Sequence, residues 1–120
     1  MNTIAHSIVR FFAVGAIGGF AVTAAQAANV DAEAAKYVAR ANGCFQCHAI
    51  DMDKDGPAYQ KVAAKFRNDP DGEKRIIFHL TSGEKAKFPD GHEEEHKIIR
   101  TIPKNDFEQI SNLVKWILSQ

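Results

Sequence analysis

Cysteine and methionine are scarce in this chain, and much of its chemistry follows from that scarcity. Of 120 residues, two are cysteine and two are methionine. Two cysteines cannot build a multi-bridge disulfide framework, nor a zinc site made of two separated thiol pairs. The methionines are Met1 and Met52, so a thioether ligand has almost no source. Net charge is missing as well: 15 basic residues balance 15 acidic ones, and nothing resembles the basic stripe that grips nucleic acid. The apolar run Phe11–Val22 stops short of the roughly 20 residues that an ordinary transmembrane helix needs. No internal repeat occurs, and no segment alternates apolar with polar residues as a half-buried strand does.

The two cysteines stand together, in Cys44-Phe45-Gln46-Cys47-His48. Two thiols at this spacing reach the two vinyl groups along one porphyrin edge, and the histidine that follows is delivered beneath the ring as an iron ligand. Other readings fit less well. A redox dithiol lacks the surrounding strand–helix alternation. Zinc lacks its second pair, and His48 adjoins Cys47 instead of standing off from it. A disulfide closing so small a loop stabilises little. One covalently attached haem c is therefore the expected cofactor, held by Cys44 and Cys47 with His48 on the iron.

Residues 1–27 read as a cleavable export signal: Arg10 supplies positive charge, Phe11–Val22 the apolar segment, and Ala25-Gln26-Ala27 the small-residue cleavage site. Cleavage there leaves residues 28–120 as one small domain, whose limited core gains from a large apolar group at its centre. The expected location is a bacterial periplasm, with no stable membrane insertion after cleavage.

Helical periodicity covers most of the remainder. Asn29 to Gly43 reads as a helix with Val30, Ala34, Tyr37 and Ala41 as its stripe, Asn29 as N-cap and Gly43 as C-terminal cap. Asp51 to Asp55 echoes a calcium loop but lacks the glutamate at its far end, and reads as a solvated loop. Ala58 to Phe66 forms a second helix around Tyr59, Val62, Ala63 and Phe66. Asp69-Pro70 opens a third, with Ile76, Ile77 and Leu80 apolar and Gly83 closing it. Glu84 to His92 is loop-like, and Glu93 to Arg100 reads as one or two helical turns. Asn105 and Glu108 form a capping box for a last helix striped by Phe107, Ile110, Leu113, Val114, Ile117 and Leu118, with Trp116 on its flank. The expected class is all-α.

Together these elements resemble the small bacterial class I c-type cytochromes, over nearly all of Asn29 to Gln120. The most specific stretches are Cys44 to Ala49, Gly56-Pro57-Ala58-Tyr59 with the helix to Phe66, and Leu113-Val114-Lys115-Trp116-Ile117-Leu118. The resemblance implies four to five helices around one covalent haem, with first and last helices crossing near the haem motif. It also implies that Pro57 offers its backbone carbonyl to the proximal imidazole and that Tyr59 belongs to the haem site.

One departure matters. The family usually supplies a methionine as sixth iron ligand from the loop before the last helix, and this loop has none. Met52 lies four residues beyond His48, on the wrong side of the ring. Histidine is the next natural neutral ligand. His96 is the leading candidate because it aligns with the missing methionine and precedes apolar Ile98, Ile99 and Ile102; His92 and His79 are the alternatives. Imidazole in place of thioether lowers the expected reduction potential.

The expected function is single-electron transfer between redox proteins, without catalysis. Lys54, Lys61, Lys65, Arg67, Lys74 and Arg75 are candidates for a docking rim. Two other functions remain open: a haem protein that binds nitric oxide or carbon monoxide at a displaceable or absent sixth position, and a cytochrome subunit of a homodimer or larger redox complex.

Overall fold

The last helix, Phe107–Leu118, is the element on which the others pack. The computed structural model describes residues 29–120; the expected export signal lies outside them. In chain order the helices are α1 (Ala32–Ala41), α2 (Cys44–Cys47), α3 (Tyr59–Phe66), α4 (Gly72–Ser82) and α5 (Phe107–Leu118), with strands β1 (Lys85–Lys87) and β2 (Glu93–Glu95) between α4 and α5. Among the described residues no helix is long and apolar enough to cross a membrane.

The contact of α1 with α5 is the most extensive, and α3 and α4 also lie against α5. Leu113 and Val114 are fully enclosed, each side chain contributing about 1.5–3 kcal/mol by leaving water. A reciprocal clasp closes the ends of the pair: the Asp31 N–H donates to Asn112 Oδ1 at 2.9 Å, and Asn112 Nδ2 donates to the Asp31 carbonyl at 2.8 Å.

Several sequence expectations need correction. On α1 the buried face is Ala35, Val38 and Ala39 with Asn42 beyond them, whereas Ala34, Ala41 and Tyr37 are exposed. An alanine-rich helix offers two stripes of similar apolarity, and packing against α5 selected the one without the bulky tyrosine. Its N-cap is Asp31, whose carboxylate accepts from the Ala34 N–H, not Asn29. The N-cap of α5 is Asp106, accepting from the Gln109 N–H; Asn105 instead adopts a left-handed φ of 61°. Helix α4 begins later than Asp69-Pro70 suggests, since Asp69 accepts from the Asp71 and Gly72 N–H groups in the preceding turn. Phe107 is 65% exposed, while Trp116 is buried at 2%. Gly43 and Gly83 take the left-handed conformation (φ 70° and 71°), ending their helices as expected.

Between α4 and α5 the expected helical turns are replaced by a short antiparallel hairpin. Lys85 faces Glu95 and Lys87 faces Glu93, opposite charges that favour cross-strand pairing. The described fold is thus helical with one small sheet. These strands are exposed on both faces apart from half-buried Ala86, so they carry no apolar alternation for a sequence to display.

Candidate functional site

The chain around Cys44–His48 folds so that the histidine ring is gripped on several sides. Gly43 turns out of α1, α2 sets the two cysteines one turn apart, and the His48 N–H closes that turn on the Cys44 carbonyl at 2.9 Å. The following loop returns across the motif. Gly56 N–H donates to the Cys47 carbonyl (2.7 Å), Lys54 Nζ to the Phe45 carbonyl (2.7 Å), and Tyr59 N–H to the Ala49 carbonyl (2.9 Å). Asp53 fixes the end of the loop by accepting from the Ala58 N–H and pairing with Lys61. The loop is therefore solvated but not passive.

Its result is a contact of 2.7 Å between His48 Nδ1 and the Pro57 carbonyl. A carbonyl only accepts, so Nδ1 carries the proton and Nε2 keeps its lone pair. Gly56 permits this approach: a Cβ there would stand 2.4 Å from His48 Cε1 and 2.8 Å from both ring nitrogens. Tyr59 stacks on the ring, with centroids 5.2 Å apart, and meets Phe45 and Trp116 edge-on behind it. Burial lowers the His48 pKa, favouring the neutral imidazole, and pushes the Cys44 thiol and the Tyr59 hydroxyl up.

In front of the ring lies a cleft of about 850 Å³ lined by Cys44, Cys47, His48, Gly56, Pro57 and Tyr59 on one side and by His79, Phe88, His96 and Ile99 among others. Its walls include Val62, Phe66, Ile76, Leu80, Leu113 and Ile117. The size falls in the range of cofactor sites, roughly 300–1,000 Å³. Two half-buried, unbridged thiols, an imidazole with a free Nε2 and an apolar cleft suit a planar apolar macrocycle that carries a metal. A covalent haem fits this donor set.

The three candidate distal histidines are placed differently. His96 lies across the cleft with its ring centroid 6.3 Å from that of His48. Its Nδ1 meets the Lys97 carbonyl at 3.0 Å, and burial lowers its pKa, with His79 and His48 adding to the effect. His79 also lines the cleft, its ring 4.1 Å from His96, with Nδ1 at 2.7 Å from the Glu84 carboxylate. His92 does not line it: the ring stacks on Phe88, Nδ1 pairs with Asp90, and Nε2 lies 3.3 Å from Glu94. Its hydrogen bond to Asp90 raises the pKa of the His92 ring. Met52 is 60% exposed and likewise absent from the cleft wall.

The segment carrying His96 is pinned at several points. His96 N–H donates to the Glu84 carbonyl (2.9 Å) and Ile99 N–H to the Leu80 carbonyl (2.8 Å). The buried amide of Asn42 accepts from the Arg100 N–H and donates to the Arg100 carbonyl, at 2.8 and 2.9 Å. Of the three isoleucines expected against the ring, Ile99 is buried and lines the cleft, while Ile98 and Ile102 are 48% and 91% exposed. Sequence reasoning passed over Asn42, whose partner lies 58 residues away; it read Asp53 only as part of a solvated loop and Lys54 only as a docking residue, missing their bonds across the turn to Ala58 and Phe45. Of the basic residues considered for docking, Lys65, Lys74 and Arg75 line the cleft. Lys54 and Arg67 bond backbone carbonyls, and Lys61 bonds Asp53.

Comparison with known proteins agrees with this geometry. The cytochrome c family model matches residues 32–120. Cytochrome c-551 of Pseudomonas aeruginosa is 32% identical over 80 residues, covering 65% of this chain and 68% of that protein. Cytochrome c-551 of Allochromatium vinosum is 31% identical over 87 residues, 68% of this chain and 80% of that one. The crystal structure of the class 1 cytochrome MtoD from Sideroxydans lithotrophicus ES-1 is 59% identical with a TM-score of 0.70, covering 76% of this chain and 97% of that one. Wild-type cytochrome c552 of Nitrosomonas europaea shares the fold at 22% identity and a TM-score of 0.51, covering 70% of this chain and 96% of that one.

Proposed function

Starting from the fact that this chain belongs to the cytochrome c family, as a small class I member with one covalent haem c, we propose that it is a periplasmic electron carrier with two histidine ligands on its iron. Cys44 and Cys47 hold the haem, His48 is the proximal ligand and His96 the distal one. When bound, haem supplies reversible one-electron chemistry; the protein sets its potential and its access to partners. Pro57 holds the proximal ring in one tautomer and raises its basicity, Gly56 leaves room for that ring, and Tyr59 backs it.

The observation that carries the distal assignment is the 6.3 Å between the His48 and His96 centroids. Two imidazole–metal bonds of about 2 Å, each with about 1 Å from nitrogen to ring centre, separate two ring centres by roughly 6 Å. In both rings Nδ1 faces a backbone carbonyl, which reserves Nε2 for the metal. Two imidazoles predict a potential below that of a haem iron with one thioether ligand. A carrier also suits the mixed charge at the cleft: Lys74 pairs with Asp71 and Arg75 with Asp69, so docking to a redox protein relies little on net charge.

The test is spectroscopic. Low-spin spectra with a bis-imidazole paramagnetic resonance signature, unchanged by carbon monoxide and by His79→Ala but altered by His96→Ala, are the expected result. A high-spin wild type that takes up carbon monoxide readily would refute the ligand assignment and favour small-ligand binding.

A further inference from the structure

The cleft holds one more imidazole than a two-ligand iron uses. The ring of His79 sits 4.1 Å from that of His96, centroid to centroid and tilted by 44°, and both line the cleft that His48 faces. From this juxtaposition we propose that His79 is a reserve iron ligand, which takes the distal position when His96 leaves it. The proposal rests on His96 being the distal ligand in the resting protein.

The two histidines are mounted differently. His79 stands on α4, which is anchored in the core through Ile76 and Leu80, each 6% exposed. His96 stands on the segment after β2, which is tied down by the backbone bonds of His96 to Glu84 and of Ile99 to Leu80. Opening that segment removes His96 without moving α4. His79 is also prepared as a ligand. Its Nδ1 is held by the Glu84 carboxylate at 2.7 Å, so Nε2 is the nitrogen left to coordinate. A carboxylate partner raises imidazole basicity and fixes ring orientation, and loss of such a partner typically costs about 10–100-fold in metal affinity.

The exchange breaks one Nε2–iron bond and makes another, and no electron or proton changes hands. Its consequence is that removing His96 alone does not open the iron. Diatomic ligands such as carbon monoxide then compete with a second imidazole already present, instead of finding a vacant position.

The experiment uses the full-length holoprotein and three variants: His96→Ala, the double variant His79→Ala/His96→Ala, and Glu84→Gln/His96→Ala. Absorbance, paramagnetic resonance and carbon monoxide titration are read for each. The expected result is that His96→Ala stays low-spin with a shifted bis-imidazole signature and resists carbon monoxide. The double variant turns high-spin, binds carbon monoxide, and returns to low-spin when free imidazole is added, which shows that it is folded. Glu84→Gln in the His96→Ala background raises carbon monoxide affinity by about 10–100-fold. A His96→Ala protein as high-spin and as open to carbon monoxide as the double variant overturns the reserve role, while leaving His96 as the distal ligand. A His96→Ala signature identical to wild type, or a high-spin wild type, overturns the ligand reading and this proposal with it.

Discussion

Replacing Gly56 with alanine isolates the grip on the proximal ring in a single methyl group. The new Cβ would lie 2.4 Å from His48 Cε1 and 2.8 Å from both ring nitrogens. Carbon–carbon contacts relax at about 3.5–4.0 Å, so the ring must retreat by about 1 Å. The Gly56 backbone is not left-handed and its N–H bond to Cys47 is unaffected in principle, so the perturbation is steric. A retreat of that size takes the 2.7 Å contact of Nδ1 with the Pro57 carbonyl beyond the usual hydrogen-bond range of about 2.7–3.2 Å. Overpacking costs about 1–3 kcal/mol and the bond about 1 kcal/mol. The lower unfolded-state entropy of alanine returns about 0.4–1 kcal/mol. The net is a loss of about 1–4 kcal/mol, to be measured by denaturant unfolding of holoprotein. Losing the carbonyl partner should also weaken proximal ligation about 10–100-fold, seen as a growing high-spin fraction and greater carbon monoxide binding. A Gly56→Ala protein within 0.5 kcal/mol of wild type, with an unchanged spectrum, would refute the reasoning.

Three further outcomes are expected. Leu113→Ala should cost about 2–5 kcal/mol, since Leu113 is fully buried on α5, whereas Ile102→Ser, at a side chain 91% exposed, should stay within about 0.5 kcal/mol; equal effects in chemical unfolding would contradict the assigned core. Asn42→Ala leaves the Arg100 N–H and carbonyl without their side-chain partner, so it should destabilise the domain by about 1–3 kcal/mol and loosen the segment bearing His96, seen as faster amide exchange at Ile99 and Arg100. The Asp106 carboxylate accepts from the Gln109 N–H, and that bond holds its pKa below the usual aspartate value. Its stabilisation is therefore fully present above that value and lost as pH falls through the lowered one; Asp106→Asn should flatten that part of the acid limb followed by helical circular dichroism, and an unchanged limb would discount the cap.

Much of the haem side was legible in the chain because its determinants are local. Cys44, Cys47 and His48 are spaced by the chemistry of a porphyrin edge, and Gly56-Pro57 lies close enough in sequence that only one loop closure brings it to His48. The periodicity of α3, α4 and α5 was readable for the same reason: Tyr59 and Ala63, Ile76 and Leu80, and Leu113 and Ile117 repeat at the helical interval. The distal side was less so. The residues between Gly83 and Asn105 form a hairpin stabilised by Lys–Glu pairs across exposed strands, which leave no hydrophobic period, and a histidine-and-glutamate run reads as helix or loop equally well.

By itself, the sequence determined that two thiols and a histidine form one attachment motif, that the chain is built of amphipathic helices, and that no methionine follows that motif in the distal loop. Those properties depend on residue identity and short spacing. The tertiary structure decided which face of α1 is buried, because α5 selects between two alanine stripes. It also decided that Asn42 holds Arg100 and that Gly56 must lack a side chain. And it separated three histidines that the sequence alone could only rank, turning His92 toward Asp90 and Glu94 while bringing His79 and His96 into one cleft with His48. Such distinctions rest on contacts between residues far apart in the chain, whose distances no local pattern encodes.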